Sequence, residues 1–129
     1  MDTLGLVLHA LVHAANIQDR DGGILLLAAL GERFSLLAKL FADGAYQGPV
    51  FRNALVKVRP QLTVEIVTRS DQTTGFAVLP KRWIVERTIA WLNRCRRLAK
   101  DFETRTRHAL AFVHLASIRL MLRKLCNPS

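Results

Sequence analysis

The sequence predicts an α/β fold in which helices cover a central sheet, and two observations carry this prediction. Segments typical of buried strands alternate with segments of helical periodicity, in the order β-α-β-α-β-α-α. Half of the 129 residues are hydrophobic, so the chain can bury a core, and its length fits one domain spanning residues 1–129. The order of elements therefore favours a layered sheet over a helical bundle.

The first predicted element is a turn followed by a strand. Asp2-Thr3-Leu4-Gly5 has the composition of a hairpin turn, and residues 6–15 form an apolar stretch typical of a half-buried strand. A hairpin turn needs a strand on both sides, and an orphan strand would leave an unpaired edge. We therefore expect this chain to be the latter part of a longer domain, with its first strand missing.

A polar connection then leads into the first predicted helix. Asp19 or Asp21 is the expected N-cap of that helix, because short carboxylates accept hydrogen bonds from the free N–H groups of a first turn. The helix is expected over residues 22–33, mostly buried, with its end near Gly31.

Two more strands flank the second predicted helix. The first, over residues 36–42, is short and apolar and suits the middle of a sheet. Gly44 is expected to permit a sharp exit from that strand. The helix follows over residues 47–58 with Pro49 in its first turn, and a β-rich strand is expected over residues 62–68.

A polar loop over residues 69–78 precedes the stretch Pro80–Phe102, which is read as one long helix with two opposite faces. At about 100° per residue, its apolar and polar side chains separate into two stripes. The apolar stripe holds Ile84, Trp91, Cys95, Leu98 and Phe102, and the polar stripe holds Arg82, Glu86, Asn93, Arg97 and Lys100. Either this is a solvated face with a weak Arg–Glu pair, or Glu86 is a functional carboxylate. A last helix, over residues 105–124, is expected to be apolar on most sides and to pack deep against the sheet.

The charge of the chain is concentrated at its C-terminal end. Residues 1–80 hold seven basic and seven acidic side chains, whereas residues 81–129 hold twelve and three and so carry the whole net charge of +9. This asymmetry predicts an anionic partner, with nucleic acid favoured over an acidic membrane surface. Trp83 and Trp91, which interleave with these cations, are expected to pack in the core or a groove rather than to stack on bases.

The remaining composition argues for a reduced, cytoplasmic protein. Cys95 and Cys126 are far apart and form no CxxC motif, so we expect two buried thiols and no metal or redox site. The start of the chain has no basic segment of the kind that opens a signal peptide. Its longest apolar run, Ile24–Leu30, is too short to span a bilayer.

Asp43 is the second candidate carboxylate. It lies at the predicted carboxyl end of a strand, which is the edge of an α/β sheet where ligands bind. Asp43 either caps the turn that follows it or acts together with Glu86. Two carboxylates on neighbouring elements can hold Mg²⁺, which prefers oxygen ligands, for phosphodiester chemistry. Arg82, Arg94 and Arg97 would then hold DNA phosphates.

Two blocks of sequence resemble a known family. FADGAYQG (Phe41–Gly48) and KRWIVERTIAWLNRCRRLAKDFE (Lys81–Glu103) are similar to the C-terminal half of bacterial insertion-sequence transposases of the DDE class, which have an RNase H-like catalytic domain. DTLG and HAANIQDRDGG, starting at Asp2 and His13, resemble the stretch between the first two catalytic carboxylates of that family. The resemblance implies a partial RNase H-like fold that lacks its first strand or strands.

The resemblance also implies site residues. Asp43 corresponds to the second catalytic Asp, Glu86 to the catalytic Glu, and Arg82 to the Arg of the Tyr-Arg-Glu-Lys signature. The signature Tyr falls on Leu79 and its Lys on Asn93, with Arg94 beside it as a basic substitute. Both carboxylates would bind Mg²⁺ or Mn²⁺, and DNA would be held by Arg82, Arg94, Arg97 and Lys100.

The resemblance leaves the first catalytic Asp without a counterpart, because Asp2 lies in the hairpin-like turn. The expectation is therefore a truncated transposase that is inactive alone. Two alternatives remain open: a non-catalytic DNA-binding module, or a regulator that pairs with itself or with a full-length transposase.

Overall fold

The computed structural model describes residues 1–31, 33–68 and 81–127. These residues form a mixed α/β structure, as the sequence predicts. The helices and strands are α1 (Asp19–Leu30), β1 (Lys39–Ala42), α2 (Pro49–Val58), β2 (Thr63–Ile66), α3 (Arg82–Asn93) and α4 (Thr106–Cys126), with 3₁₀ turns at Gly44–Tyr46 and Arg96–Leu98. Contacts divide the chain into a strand unit (His13–Arg82) and a helical unit (Met1–Val12 with Trp83–Ser129). That all 129 residues form one domain stays a prediction.

The strand unit is a βαβ arrangement with an additional helix. Strands β1 and β2 pair in parallel, with Lys39 opposite Thr63 and Ala42 opposite Ile66, and α2 is the crossover between them. Helix α1 packs against α2, and the buried core consists of Leu27, Leu30, Phe51 and Leu55. Each such side chain stabilises the fold by about 1.5–3 kcal/mol when fully buried.

The chain leaves β1 through the 3₁₀ turn at Gly44–Tyr46, and Gly48 then makes the turn into α2. Gly48 has φ +120°, a conformation that L side chains rarely adopt, and it leads directly into Pro49 at the start of α2. The expected place of Pro49 is thus confirmed. The chain does turn at Gly44, directly after Asp43, as expected, although Gly44 has no left-handed φ.

The helical unit holds the N-terminal segment against α3. Thr88 is completely buried on α3 and donates a hydrogen bond from its Oγ1 to the carbonyl of Gly5, at 2.9 Å. Arg87 donates to the Leu4 carbonyl at 3.3 Å, and Lys124 of α4 donates to the same oxygen at 2.5 Å. Three side chains therefore fix the turn that opens the chain.

The predicted strand over residues 6–15 is wrong. Those residues pair with no strand, and the described part of the chain contains a single strand pair, β1 with β2. A strand is stable only where a neighbour completes its ladder of hydrogen bonds, so an apolar run alone does not make one. The turn over Asp2–Gly5 is nevertheless present, closed by a hydrogen bond from the Gly5 N–H to the Asp2 carbonyl at 3.1 Å.

Several finer expectations also need correction. The first helix begins at Asp19, and its N-cap is Gln18, which makes no side-chain cap bond, so Asp19 and Asp21 lie in the first turn. Helix α3 ends at Asn93, and therefore the polar stripe that was to carry Arg97 and Lys100 does not continue along one helix. Cys126 is exposed and Cys95 half-buried, so the expectation that both thiols are buried is wrong.

Helix α4 is less buried than its sequence predicts. Only Ala116 and Ser117 are buried on it, while several of its large apolar side chains are exposed. The expectation of a helix packed deep on most sides is therefore wrong.

The predicted loop over residues 69–78, together with Leu79 and Pro80, lies outside the described residues. No helix among the residues that the structure describes is long and apolar enough to cross a membrane.

Candidate active site

Asp43 directly follows the last residue of β1, as predicted. Its side chain is exposed, and its Oδ1 accepts the N–H of Ala45 at 3.0 Å, which caps the 3₁₀ turn. This bond also orients the carboxylate. The capping role and a ligand-binding role are compatible, because the Asp43 carboxylate still lies at the carboxyl end of a parallel strand, where ligands bind in α/β sheets.

Tyr46 and Asp19 lie in the same unit as Asp43. Sequence reasoning did not single out either residue as part of the candidate site. The Tyr46 ring packs edge-on against Phe51, with the centroids 5.2 Å apart. Burial, and then the charges of Asp19 and Asp43, raise the pKa of Tyr46 above its usual 10.0. The field of both carboxylates therefore reaches one phenol. Tyr46 stands within the FADGAYQG block, which was the available signal.

A groove opens beside these residues in the strand unit. It is lined by Ala15, Ile17, Gln18, Asp19, Arg20 and Ala45. Asp19 and Ala45 connect the groove to the start of α1 and to the turn that Asp43 caps. The groove therefore lies next to the candidate carboxylate without including it.

Lys81 is a second residue that sequence reasoning did not single out. It has φ +67° and lies immediately before α3, with its ammonium 4.2 Å from the centre of the Phe41 ring. Phe41 is two residues before Asp43 on β1. A cation is thus held near the carboxyl end of that strand by a cation–π contact. The signal was its place at the start of the KRWIVER block.

Glu86 lies on α3, and the hydrogen bond that holds this helix to the N-terminal turn comes from Thr88 on the opposite side of the helix. Thr88, which is buried, and Glu86 are two residues apart and so about 200° apart around the helix. The exposed Glu86 therefore projects from the side of α3 opposite to the Thr88–Gly5 bond. Arg82, the first residue of α3, is exposed as well. Both side chains take part in interactions within the molecule.

The other three predicted DNA contacts follow α3 in the helical unit. Arg94, Arg97 and Lys100 are all exposed. Arg97 forms an ion pair with Glu103, and its guanidinium lies 5.1 Å from the centre of the Phe112 ring. Arg97 therefore also helps to attach the segment after α3 to α4, whereas Arg94 and Lys100 have no ion pair among the described residues.

Asp2 has a structural role in the N-terminal turn. Its Oδ1 accepts two backbone hydrogen bonds, from the N–H groups of Leu4 and Leu6, each at 2.9 Å. This is the arrangement of an Asx-type turn. It supports the interpretation of Asp2 as a turn residue.

A complete metal site is not present within the described ranges. They contain no group of three or more His, Cys, Asp or Glu side chains that could hold a metal ion. Asp43 belongs to the strand unit and Glu86 to the helical unit. Each is an exposed carboxylate, a donor that suits a hard divalent cation.

Comparisons with known proteins give a consistent result. Residues 1–121 match the model of a family described as "Transposase DDE domain". The chain is also similar to a putative transposase for insertion sequence element IS402 from Burkholderia cepacia, with 29% identity over 132 residues. This match covers 97% of the chain but 59% of the relative's length. No solved structure matches the chain.

Proposed function

The chain belongs to the transposase DDE domain family, and on this premise we propose that it takes part in DNA transposition through metal-dependent cleavage and transfer of DNA strands. The observation that carries the proposal is the place of Asp43, exposed at the carboxyl end of a parallel strand and oriented by the Ala45 N–H. The family match over residues 1–121 and the resemblance of the Asp43 and Glu86 blocks support the assignment of both carboxylates.

In this proposal Asp43 and Glu86 hold a divalent cation, Mg²⁺ or Mn²⁺. When bound between carboxylates, such a cation stabilises the negative charge that develops during phosphoryl transfer and activates the attacking hydroxyl. The Ala45 N–H holds the Asp43 carboxylate in one orientation, so less ordering is needed when a ligand arrives. Glu86 is held by a helix whose other side is fixed by Thr88.

The proposed DNA contacts are the exposed cations Arg82, Arg94, Arg97 and Lys100. Guanidinium groups bind phosphate through two parallel hydrogen bonds, which positions the backbone as well as attracting it. Because Arg97 also pairs with Glu103, we assign the larger share of phosphate binding to Arg94 and Lys100.

We further propose that this chain contributes two of three catalytic carboxylates and does not cleave DNA by itself. The place of Asp2 supports this, because Asp2 lies in the turn that precedes α1 and not at the end of a described strand, as Asp43 does. The chain spans about 59% of the length of the curated relative that it matches. A second candidate function, a DNA-binding or regulatory chain that pairs with a full-length transposase, is favoured by the twelve basic side chains of residues 81–129.

The test is a nicking assay on supercoiled DNA with and without Mg²⁺ or Mn²⁺, accompanied by a DNA-binding measurement. We expect binding without nicking. Metal binding by calorimetry should be weakened by Asp43→Asn and by Glu86→Gln, because each change removes a charged ligand. Asp21→Asn and Glu65→Gln are the matched controls, since both side chains are exposed and neither is assigned to the metal.

The outcomes separate the alternatives. Metal-dependent nicking that disappears in Glu86→Gln would mean that the site is complete and that the proposed inactivity is wrong. DNA binding with no metal effect in either variant would instead support the non-catalytic DNA-binding module. Absence of DNA binding at low salt would contradict both readings.

A further inference from the structure

Lys81 is the one non-glycine residue with a left-handed backbone among the residues that the structure describes. Its φ is +67°, a conformation in which the β carbon crowds the following carbonyl oxygen, so most side chains are strained there. Asn and Asp adopt this conformation more readily than Lys does. Strained backbone conformations cluster at functional sites, where the surrounding structure holds them in place. The strain at Lys81 therefore points to a task of its ammonium group.

The Lys81 ammonium lies on the face of β1 from which Asp43 projects. It is 4.2 Å from the centre of the Phe41 ring. Phe41 precedes Asp43 by two residues, and Asp43 still has an extended backbone, with φ −82° and ψ 179°. Side chains two residues apart on an extended strand point to the same face, and at about 3.3 Å per residue they are about 6.6 Å apart. The Phe41 ring thus holds a cation beside the candidate carboxylate, within the strand unit.

Lys81 has a free charge, whereas Lys39 on the same face does not. Lys39 also lies over the Phe41 ring, at 5.2 Å, but its ammonium forms an ion pair with Glu65 on β2. Lys81 is exposed and forms no ion pair within the part of the chain that the structure describes. A cation–π contact attracts an ammonium but does not neutralise it. Lys81 therefore brings an uncompensated positive charge to the face that carries Asp43.

An exposed carboxylate beside an uncompensated ammonium fits a phosphate group that binds together with a divalent cation. Carboxylate and phosphate oxygens are both ligands that Mg²⁺ accepts. A lysine ammonium attracts a phosphate as a point charge, and its flexible stem can adjust to the position of the phosphate. A simple anion without the metal is disfavoured here, because the Asp43 carboxylate repels it.

We propose that Lys81 is a phosphate-binding residue of the candidate site, and that its ammonium contacts the DNA phosphate held next to Asp43. The inference rests on the proposed function, which supplies DNA as the ligand, and it adds a cation to the four already assigned to DNA. A long cationic side chain is then required at residue 81, because a glycine or an asparagine, although better suited to the backbone, would not reach past the Phe41 ring to a phosphate.

The first test measures how the affinity of the full chain for a duplex oligonucleotide depends on salt, at a fixed low concentration of Mg²⁺. Lys81→Asn removes the charge and introduces a residue that tolerates the left-handed backbone, so the variant should fold. The slope of log affinity against log salt should fall by about 0.9, the value for one phosphate contact. Lys81→Arg should keep the original slope. Lys57→Asn is the matched control, because Lys57 is an exposed lysine in the last turn of α2.

Lysine footprinting gives a readout that a merely structural role would not change. Mild acetylation followed by mass spectrometry reports how accessible each lysine ammonium is. The duplex should protect Lys81 from acetylation, and more strongly with Mg²⁺ than with EDTA, whereas Lys57 should react equally with and without DNA. Polyglutamate, which carries carboxylates and no phosphates, should protect Lys81 much less than DNA does.

A double-mutant cycle tests the place of the bound phosphate. If Lys81 and Asp43 act on one phosphate, the effects of Lys81→Asn and Asp43→Asn on DNA affinity should not be additive when Mg²⁺ is present. Lys57→Asn combined with Asp43→Asn should be additive, because Lys57 is near the end of α2 that leads into the start of β2.

Four results would overturn the proposal. An unchanged salt slope in Lys81→Asn, with DNA still bound, would contradict this inference alone and leave the proposed function standing. Equal protection by DNA and polyglutamate would show that Lys81 attracts any polyanion. Additive effects of the Lys81 and Asp43 variants would place the Lys81 contact away from Asp43. Absence of DNA binding by the unmodified chain at low salt would contradict the proposed function together with this inference.

Discussion

At the scale of single residues, a comparison of three glycines distinguishes the cost of backbone strain from the cost of steric contact. Gly5 has φ +81°, and a Cβ there would lie 2.5 Å from the Thr88 Oγ1. Gly48 has φ +120° with nothing within 4 Å, and Gly44 has no unusual φ and an ordinary nearest distance of 3.7 Å. Alanine should therefore be worst at Gly5, intermediate at Gly48 and nearly neutral at Gly44.

The expected losses follow from those surroundings. Gly48, with φ +120° and ψ 167°, lies in a backbone region essentially restricted to glycine. An alanine there costs about 1–3 kcal/mol, which is the whole effect at that position. At Gly5 the displaced Thr88 hydroxyl adds the loss of a buried hydrogen bond, about 1–3 kcal/mol. The free energy of unfolding from urea titration measures all three variants, with Gly44→Ala as the control. Equal losses at the three positions would contradict this description of the backbone.

The raised pKa of Tyr46 predicts a pH dependence of stability. Below the usual value of 10.0 the phenol is protonated in both folded and unfolded chains, so its contribution is fully present. As pH rises through that value, the unfolded chain releases its proton first, and stability falls until the folded phenol also ionises. Stability should thus decline above the usual tyrosine pKa, and Tyr46→Phe should reduce the decline.

Tyr46 can be followed directly, because it is the single tyrosine of the chain. Phenolate absorbance should show a folded pKa above that of the urea-unfolded chain. Burial is the largest cause of the shift, so Asp19→Asn and Asp43→Asn should each lower the folded pKa by only part of it. Asp101→Asn, in the helical unit, serves as the control. A folded pKa that ignores both Asp19 and Asp43 would disprove their influence on the phenol.

At the scale of elements, the helices and the two strands were predictable, whereas strand partners and helix ends were not. The periodicity of α2 and the position of Pro49 fixed that helix to within two residues at its start. The segment over residues 6–15 has an equally apolar pattern, yet it makes no ladder, because strand formation depends on a distant neighbour that no local pattern reveals. The helix in the Lys81–Glu103 block ends at Asn93, earlier than predicted. A separation of apolar and polar side chains into two stripes does not specify where a helix ends.

Helix α3 depends on Arg87, a residue that periodicity did not single out. Its guanidinium lies 4.4 Å from the Trp83 ring centre and 4.7 Å from that of Trp91, and it donates to the Leu4 carbonyl. Arg87→Met should keep most of the apolar stem but destabilise the helical unit by about 1–3 kcal/mol, through lost cation–π contacts and a lost hydrogen bond.

Tryptophan fluorescence is a specific readout of this effect. The chain has two tryptophans, and Arg87 contacts both. Arg87→Met should therefore change the emission of the folded protein and lower the urea midpoint measured by that emission. Arg94→Met, at an exposed position one residue past the end of α3, is the matched control. An unchanged spectrum and midpoint in Arg87→Met would show that the stacking contributes little.

At the scale of the whole molecule, family and charge could be derived from the sequence, but the surroundings of the site could not. The two blocks around Asp43 and Glu86 carried the family resemblance, which the family match confirms. The field of Asp19 at Tyr46, and the pairing of Arg97 with Glu103, depend on residues brought together by the fold. The roles of Asp43, Glu86 and the four cations stay predictions.

The uneven charge of the chain leads to a prediction about DNA binding that is independent of catalysis. Each phosphate contact removed should lower the slope of log affinity against log salt by about 0.9 for duplex DNA. Arg94→Ala and Lys100→Ala should each produce such a change, because both side chains are exposed in the basic half of the chain. Arg97→Ala should give a smaller change in slope, together with a loss of stability, because its charge is already paired with Glu103.

Arg52→Ala provides the matched control, since it removes the same charge from an exposed position on α2 in the neutral half of the chain. If binding responded only to total charge, Arg52→Ala and Arg94→Ala would lower the slope equally. A phosphate-binding surface formed by residues 81–129 requires instead that Arg94→Ala lowers it and Arg52→Ala does not. Filter-binding titrations across a range of salt concentrations distinguish these outcomes, and equal slopes would show that the charge asymmetry of the sequence does not localise the DNA.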